Sequence, residues 1–230
     1  MDTIECRVDY CVQPFSFRKY LITRLFDISG VESKMPITPL HYPSAFLISK
    51  TDRRLSLPGL VVGSVIPDIE VPIMWLFFAG LPDHLLLHSL IGALTLGTAL
   101  ALIATRFIYP PIISLIFNIE RNELNQITKI TPWLGVSCLL GVLSHLVLDF
   151  PMHWYNPIFW PWVNPYDIVG PLVLVFMPTY DMWTAYLIAS SIMHISMIAI
   201  WFGIIVKLHS KGNLWYQHWV GSTKVTKGIA

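Results

Sequence analysis

Lysine and arginine are missing from two long stretches of this 230-residue chain: none occurs in 55–105 or in 130–206, and all 15 lie within 7–54, 106–129 or 207–227. Charged residues of either sign make up only 13% of the sequence, against 54% apolar residues and a mean hydropathy of +0.60. A soluble globule carries about 25% charged residues, so this composition points to an integral membrane protein. Lys and Arg mark cytoplasmic loops, and each gap reads as an out-and-back hairpin whose tip faces away from the cytoplasm. Cysteine is scarce too. Cys6, Cys11 and Cys138 exclude a disulfide framework or a cysteine metal knuckle. The first 34 residues have no continuous apolar core, so no cleavable signal peptide is expected and the spanning helices serve as their own insertion signals. Repeats, a Gly-rich phosphate loop, a Ser-centred nucleophile elbow and a nucleic-acid-binding pattern are all lacking, and no nucleic-acid partner is expected.

What remains is apolar, and it divides into spans. Residues 1–34 mix five acidic and five basic residues without a clear period, although Phe15 to Phe26 fits a short amphipathic helix. Met35-Pro-Ile-Thr-Pro-Leu-His41 looks like a fresh start, which makes 1–34 an extension, 35–207 a membrane-embedded helical domain and 208–230 a basic cytoplasmic tail. Leu57 to Leu81 is membrane-length but interrupted by Pro58, Pro67, Asp68, Glu70 and Pro72, so irregular backbone is expected at depth, with both carboxylates facing inward. His84 to Tyr109 reads as the cleanest span, stopped by Pro110-Pro111. Trp133 to Phe150 is the third, with a small-residue face of Gly135, Ser137, Gly141 and Ser144. Beyond it an aromatic and proline-rich stretch around Trp160 fits an interfacial belt. Val169 to Met177 is too short to cross and reads as re-entrant or interfacial, and Met182 to Val206 is a full span. The expected fold is all-α, with four to five transmembrane helices, a broken first span and a re-entrant segment.

The six acidic residues inside the cation-free gaps are Asp68, Glu70, Asp83, Asp149, Asp167 and Asp181. With no Lys or Arg nearby, they need an external cation or a proton. His145 and Asp149 are four residues apart, one turn along one helix face, where both can hold the same cation; a hydrogen-bonded structural tie is the alternative. In a four-crossing topology Asp68, His84, His88, His145 and Asp149 converge on one leaflet. Imidazole and carboxylate without thiolate suit Zn²⁺ or a similar divalent ion. His153 is a further candidate, and His194 reads as an interhelical hydrogen bond. Only nine residues separate His41 from Lys50, a helical rise of roughly 13 Å. Its segment therefore either dips in from the outer side as a fifth helix or supplies no ligand.

His41 near the fresh start, Pro67-Asp68-Ile-Glu70, His88-Ser-Leu-Ile-Gly, and Gly141-x-x-Ser-His145-x-x-x-Asp149-Phe followed by Phe159-Trp-Pro161 carry a resemblance. Over roughly residues 35–165 the chain resembles the membrane-bound metal-dependent hydrolases of the LexA-regulated type and their prokaryotic membrane relatives. More remotely, it is similar to the zinc-dependent phospholipase C and single-strand nuclease superfamily. The resemblance implies a phosphoester hydrolase of a prokaryotic inner membrane, with His41, Asp68, His88, His145 and Asp149 as ligand positions. The pattern has His-Arg shortly before the His-Ser pair, where this chain has Asp83-His84. That departure concerns either a contact that supports the ligands from behind or a substrate-phosphate contact.

The resulting expectation is a divalent-metal hydrolase, most simply a zinc enzyme, whose metal-bound hydroxide attacks a phosphoester such as a lipid headgroup. Asp68 and Glu70 are the expected catalytic carboxylates, with Glu70 taking or relaying a proton. The site would open toward the extracytoplasmic leaflet. The alternative is a metal- or proton-binding membrane protein without turnover, for instance a transporter using the Pro67 to Pro72 break as its midplane site.

Overall fold

The computed structural model describes residues 38–78, 81–210 and 214–221, all within the unit Met35–Ala230. The expected extension 1–34, its Phe15 to Phe26 helix and the start at Met35 lie outside the described residues. Among those residues the structure is all-helical, with no β-strand, and four helical stretches are long and apolar enough to cross a membrane: Leu57–Phe77, Leu90–Phe117, Pro132–Asp149 and Met182–His209. The protein is an all-α membrane protein.

A 3₁₀ turn, Thr38–His41, leads into α1 (Tyr42–Ile48), whose seven residues are too few to form a fifth span. The first crossing is broken where its prolines require. Helix α2 (Leu57–Gly63) gives way to a 3₁₀ turn, Ile66–Ile69, and then α3 (Glu70–Phe77). Pro67 has no N–H to donate, and the Asp68 N–H bonds the Val65 carbonyl rather than that of Ser64.

The second crossing, α4 (Leu90–Phe117), differs from expectation at both ends. It starts at the Ser89 cap, whose hydroxyl accepts from the Gly92 N–H, so residues 84–88 form a loop. It also runs through Pro110-Pro111, because a π turn at Ala104–Ile108 resets the hydrogen-bond register ahead of the prolines. The helix ends at Asn118 in the left-handed conformation, φ 53°.

After α5 (Arg121–Ile127) comes α6 (Pro132–Asp149), the centre of the bundle. It crosses α2 at Gly63 and Gly141, where a Cβ on Gly63 would run into the Cys138 carbonyl oxygen and one on Gly141 into that of Leu60. Of the expected small-residue face, Gly141 makes this approach, Ser137 accepts from the Ser56 N–H at 2.8 Å, and Ser144 meets Ser44 at 3.5 Å. Gly135 faces open space.

Helix α7 (Pro171–Phe176) does not cross; its Val173 is buried against Ala185 and Ala189 of α8 (Met182–His209). On α8 the residues Ile195, Ile198, Phe202 and Val206 are each more than half exposed, a continuous apolar face suited to lipid. The stretch expected as a basic tail folds back in its described part. Helix α9 (Leu214–Trp219) leads to Val220, which is buried with Tyr109, Ile113 and Leu124.

Candidate metal centre

The break in the first crossing aims two carboxylates in different directions. Asp68 points into the bundle, with both oxygens buried and without a hydrogen-bond partner, and α6 meets it there with His145 and Asp149. His145 Nε2 lies 3.3 Å from Asp68 Oδ1 and 3.0 Å from Asp149 Oδ2. From the loop before α4, His88 Nε2 approaches Asp68 Oδ1 at 3.7 Å, Asp149 Oδ2 at 3.8 Å and His145 Nε2 at 3.2 Å. Asp68, His88, His145 and Asp149 thus each offer a ligand atom within 4.8 Å of the others, and all four are buried.

Backbone and carboxylate partners hold the rings in place. The Nδ1–H of His145 donates to the Ser64 carbonyl at 2.8 Å, the group released by the 3₁₀ turn. That of His88 donates to Glu70 Oε2 at 3.1 Å, and that of His84 to Asp83 Oδ1 at 2.9 Å. A neutral imidazole donating from Nδ1 presents a lone pair at Nε2, the arrangement that partners in the outer shell impose on metal-ligating histidines. Two such lone pairs at 3.2 Å repel unless a cation or a proton lies between them.

Glu70 sits behind His88 and outside the cluster. Its carboxylate accepts from the N–H groups of Leu85 (3.1 Å), Leu86 (2.5 Å) and Leu87 (2.9 Å) as well as from His88. These four donors occupy both oxygens, so the geometry makes Glu70 an anchor for the 84–88 loop, in place of the proton relay expected of it. Asp68, the other expected catalytic carboxylate, has its oxygens directed at the cluster.

A second group, His84, Asp149 and His153, shares the Asp149 carboxylate with the first. Nε2 of His84 and of His153 is buried without a hydrogen-bond partner, and His153 Nε2 lies 3.7 Å from Asp149 Oδ2. Asp83 is held in turn by the hydroxyl of Tyr155, which donates to the same oxygen that His84 uses. Burial works to raise the Asp83 carboxyl, but the hydrogen bond and charge of His84 outweigh it and hold it below the usual carboxylate range. Burial, with the nearby charge of His88, pushes His84 down. Beside this group is a cavity of about 20 Å³, lined by His84, His88, Asp149 and His153 among others. That is room for a water or an ion.

His41 starts no fifth span, and it lies beside the first group without being one of its four members. It stands immediately before α1, stacks on His145 with ring centroids 4.1 Å apart, and places Nε2 at 3.4 Å from Asp149 Oδ1. Burial and the charge of His145 push it down to about 4, which keeps the ring neutral. Among the described residues His194 pairs within its own helix, its Nδ1 meeting Ser190 Oγ at 3.2 Å, and makes no interhelical hydrogen bond.

Residues 35–164 match a family described as a domain of unknown function (DUF4184), and this match spans more than half of the chain. The chain belongs to the DUF4184 family. Every donor of both groups, and His41 beside them, falls inside the matched DUF4184 region. No curated protein and no solved structure gives a match.

Two contributors were missed in the sequence. Tyr155 carried a signal, two residues beyond His153 in a loop with no other assigned polar role. The Ser64 carbonyl carried a weaker one: a proline three residues on disturbs the helical pairing of the carbonyls before it.

Proposed function

We propose that this DUF4184 protein is a membrane-embedded, divalent-metal-dependent hydrolase acting on a phosphoester, with a membrane lipid as the substrate class closest to hand. The observation that carries the reading is the concentration of buried donors that face one another, with no Lys, Arg or backbone N–H among them. Asp68 and Asp149 together bury four carboxylate oxygens without hydrogen-bond partners, beside the Nε2 atoms of His88 and His145. An ionised carboxylate taken from water without a partner costs several kcal/mol even after relaxation. A dication offsets that cost for both acids at once, and a donor set of imidazole and carboxylate fits Zn²⁺.

Asp68, His88, His145 and Asp149 would hold one ion, and His84, Asp149 and His153 a second, with Asp149 between them. When bound, the metal supplies Lewis acidity and a nucleophile available near neutral pH. The protein's own residues do the positioning. Glu70 and the Ser64 carbonyl fix the rings of His88 and His145, Asp83 fixes His84, and the apolar helices keep bulk water away. Both cation-free stretches turn at the end of the bundle that carries these donors. By the positive-inside rule that end faces away from the cytoplasm, in keeping with a prokaryotic inner-membrane protein.

A second reading, a metal- or proton-binding protein without turnover, draws on the size of the cavity. At about 20 Å³ it admits a water or an ion but no phosphoester, so a substrate would need the 84–88 or 153–158 loop to move.

The test joins two measurements on detergent-purified protein, metal per chain and turnover of a generic phosphodiester. The hydrolase reading expects bound metal and turnover that a chelator abolishes, and metal without turnover selects the second reading. Asp149→Asn sharpens the ligand assignment. It keeps the shape and an acceptor oxygen but removes the charge shared by both groups, so metal is expected to be lost with the helical fold retained. A His/Asp structural tie predicts instead that the Asn variant keeps its metal. Full metal content in Asp149→Asn would sink the assignment.

A further inference from the structure

A large cavity lies at the far end of α6 from the candidate metal centre. It holds about 660 Å³ between the loop joining α1 to α2, the end of α5, the start of α6 and Gly221. This is within the range of small-molecule sites, about 300–1,000 Å³. Its walls carry four cations, Lys50, Arg53, Arg54 and Lys129. The acid beside them, Asp52, is engaged by Arg54, whose Nη2 lies 2.6 Å from Oδ2. The Arg54 guanidinium is further fixed 4.0 Å over the Trp133 ring. Among the described residues neither Arg53 nor Lys129 forms an ion pair. The start of α6, an 18-residue helix, adds the positive end of its dipole through Thr131 and Leu134 on the cavity wall. Leu55 and Leu57 give the cavity an apolar side next to the charged one.

Depth narrows the choice of occupant. From Asp149 to Thr131 along α6 is roughly 27 Å at 1.5 Å per residue, close to the thickness of a bilayer's hydrocarbon core. With the buried donors near one boundary of that core, the cavity falls at the other, where phosphate groups reside. We infer that this cavity binds a phosphate-bearing anion, in the manner of basic pockets between helices that hold anionic lipid headgroups. The inference does not depend on the metal reading, because the two sites share no residue.

Native mass spectrometry of the full chain in detergent, offered phosphatidylglycerol or phosphatidylcholine, tests it. Each cation near the membrane surface is worth about fivefold in binding, so Arg53→Gln with Lys129→Gln is expected to lose about 30-fold in phosphatidylglycerol retention. A control double, Arg121→Gln with Lys207→Gln, removes the same charge from exposed positions outside the cavity and should retain the lipid. Inorganic phosphate is offered in parallel, with thermal stability as the readout. Stabilisation of the wild type by phosphate, absent in the cavity double, identifies a free anion as a sufficient ligand; retention of lipid with no response to phosphate identifies the headgroup. Metal content should be unchanged in the cavity double, which separates this result from the fate of the metal reading. Equal lipid loss in both doubles, or no preference for phosphatidylglycerol together with no response to phosphate, overturns the proposal.

Discussion

Replacing Glu70 by Gln tests whether a carboxylate outside the donor cluster governs the cluster itself. The side chain is buried and takes four hydrogen bonds, three from the N–H groups of Leu85, Leu86 and Leu87 and one from His88. Hydrogen bonds to a charged acceptor contribute about 1.5–3 kcal/mol and neutral ones about 1, so neutralising the acceptor loses roughly 1 kcal/mol per bond. The amide cannot serve all four donors. With its oxygen at the Oε2 position it keeps Leu85, Leu87 and His88 but turns an NH₂ toward the Leu86 N–H, leaving that group unsatisfied at a further cost of about 1–3 kcal/mol. The total, about 4–6 kcal/mol, divides between the fold of the 84–88 loop and the aim of His88. Loss of such a partner typically weakens metal affinity 10- to 100-fold. The assay is a chelator competition giving the metal Kd, run beside a thermal melt of the metal-free protein. Glu70→Asp keeps the charge on a shorter arm and should fall between wild type and Gln. Metal affinity of Glu70→Gln equal to that of wild type would refute the anchoring role, and unchanged affinity with turnover lost would restore Glu70 as a proton carrier.

Further expectations concern other parts of the same region. His84→Ala should lower the metal stoichiometry by one ion while the group around Asp68 keeps its own, as read by elemental analysis. Gly141→Ala forces a methyl group against the Leu60 carbonyl and should destabilise by about 1–3 kcal/mol, with metal falling in parallel because His145 lies one turn further on; a melt and a metal assay on the same sample check it. His41, pushed down to about 4, stays neutral in the fold while the unfolded chain takes up a proton below about 6.5. More protons in the unfolded state mean that stability falls as pH drops through that window. Metal-free wild type should thus lose up to about 3 kcal/mol relative to His41→Gln between pH 7 and 4, seen as diverging melting curves.

The order of the apolar and cation-free stretches was enough to place four crossings, because hydropathy and the distribution of Lys and Arg report directly on the bilayer. Pro67 likewise announced the break that delivers Asp68. The sequence misled where backbone hydrogen bonding is negotiated locally. Pro110-Pro111 reads as a stop unless a π turn precedes it, and the apolar run from Leu85 reads as helix although the Glu70 carboxylate holds those N–H groups in a loop. Convergence of Asp68, His84, His88, His145 and Asp149 followed from depth and spacing, whereas His41 came only from the family resemblance, its spacing from Lys50 arguing against it. The task of Glu70 did not, because one carboxylate can satisfy either a metal or a set of amides, and only the position of the 84–88 loop decides between them.

The donors of the proposed metal centre come from separate stretches of chain: the break after α2, the loop before α4, the end of α6 and the loop beyond it. An ion held among them would act as a cross-link joining three of the four crossings, as a disulfide does in small secreted domains. This chain has one cysteine among its described residues, Cys138, and so cannot make that covalent bond between them. Linkage gives the size of the effect: at a metal concentration 1,000 times the Kd, binding adds about 4 kcal/mol to the folded state. Insertion of the helices and closure of the bundle would then be separable events, with the ion as the clasp that makes the second one hard to reverse.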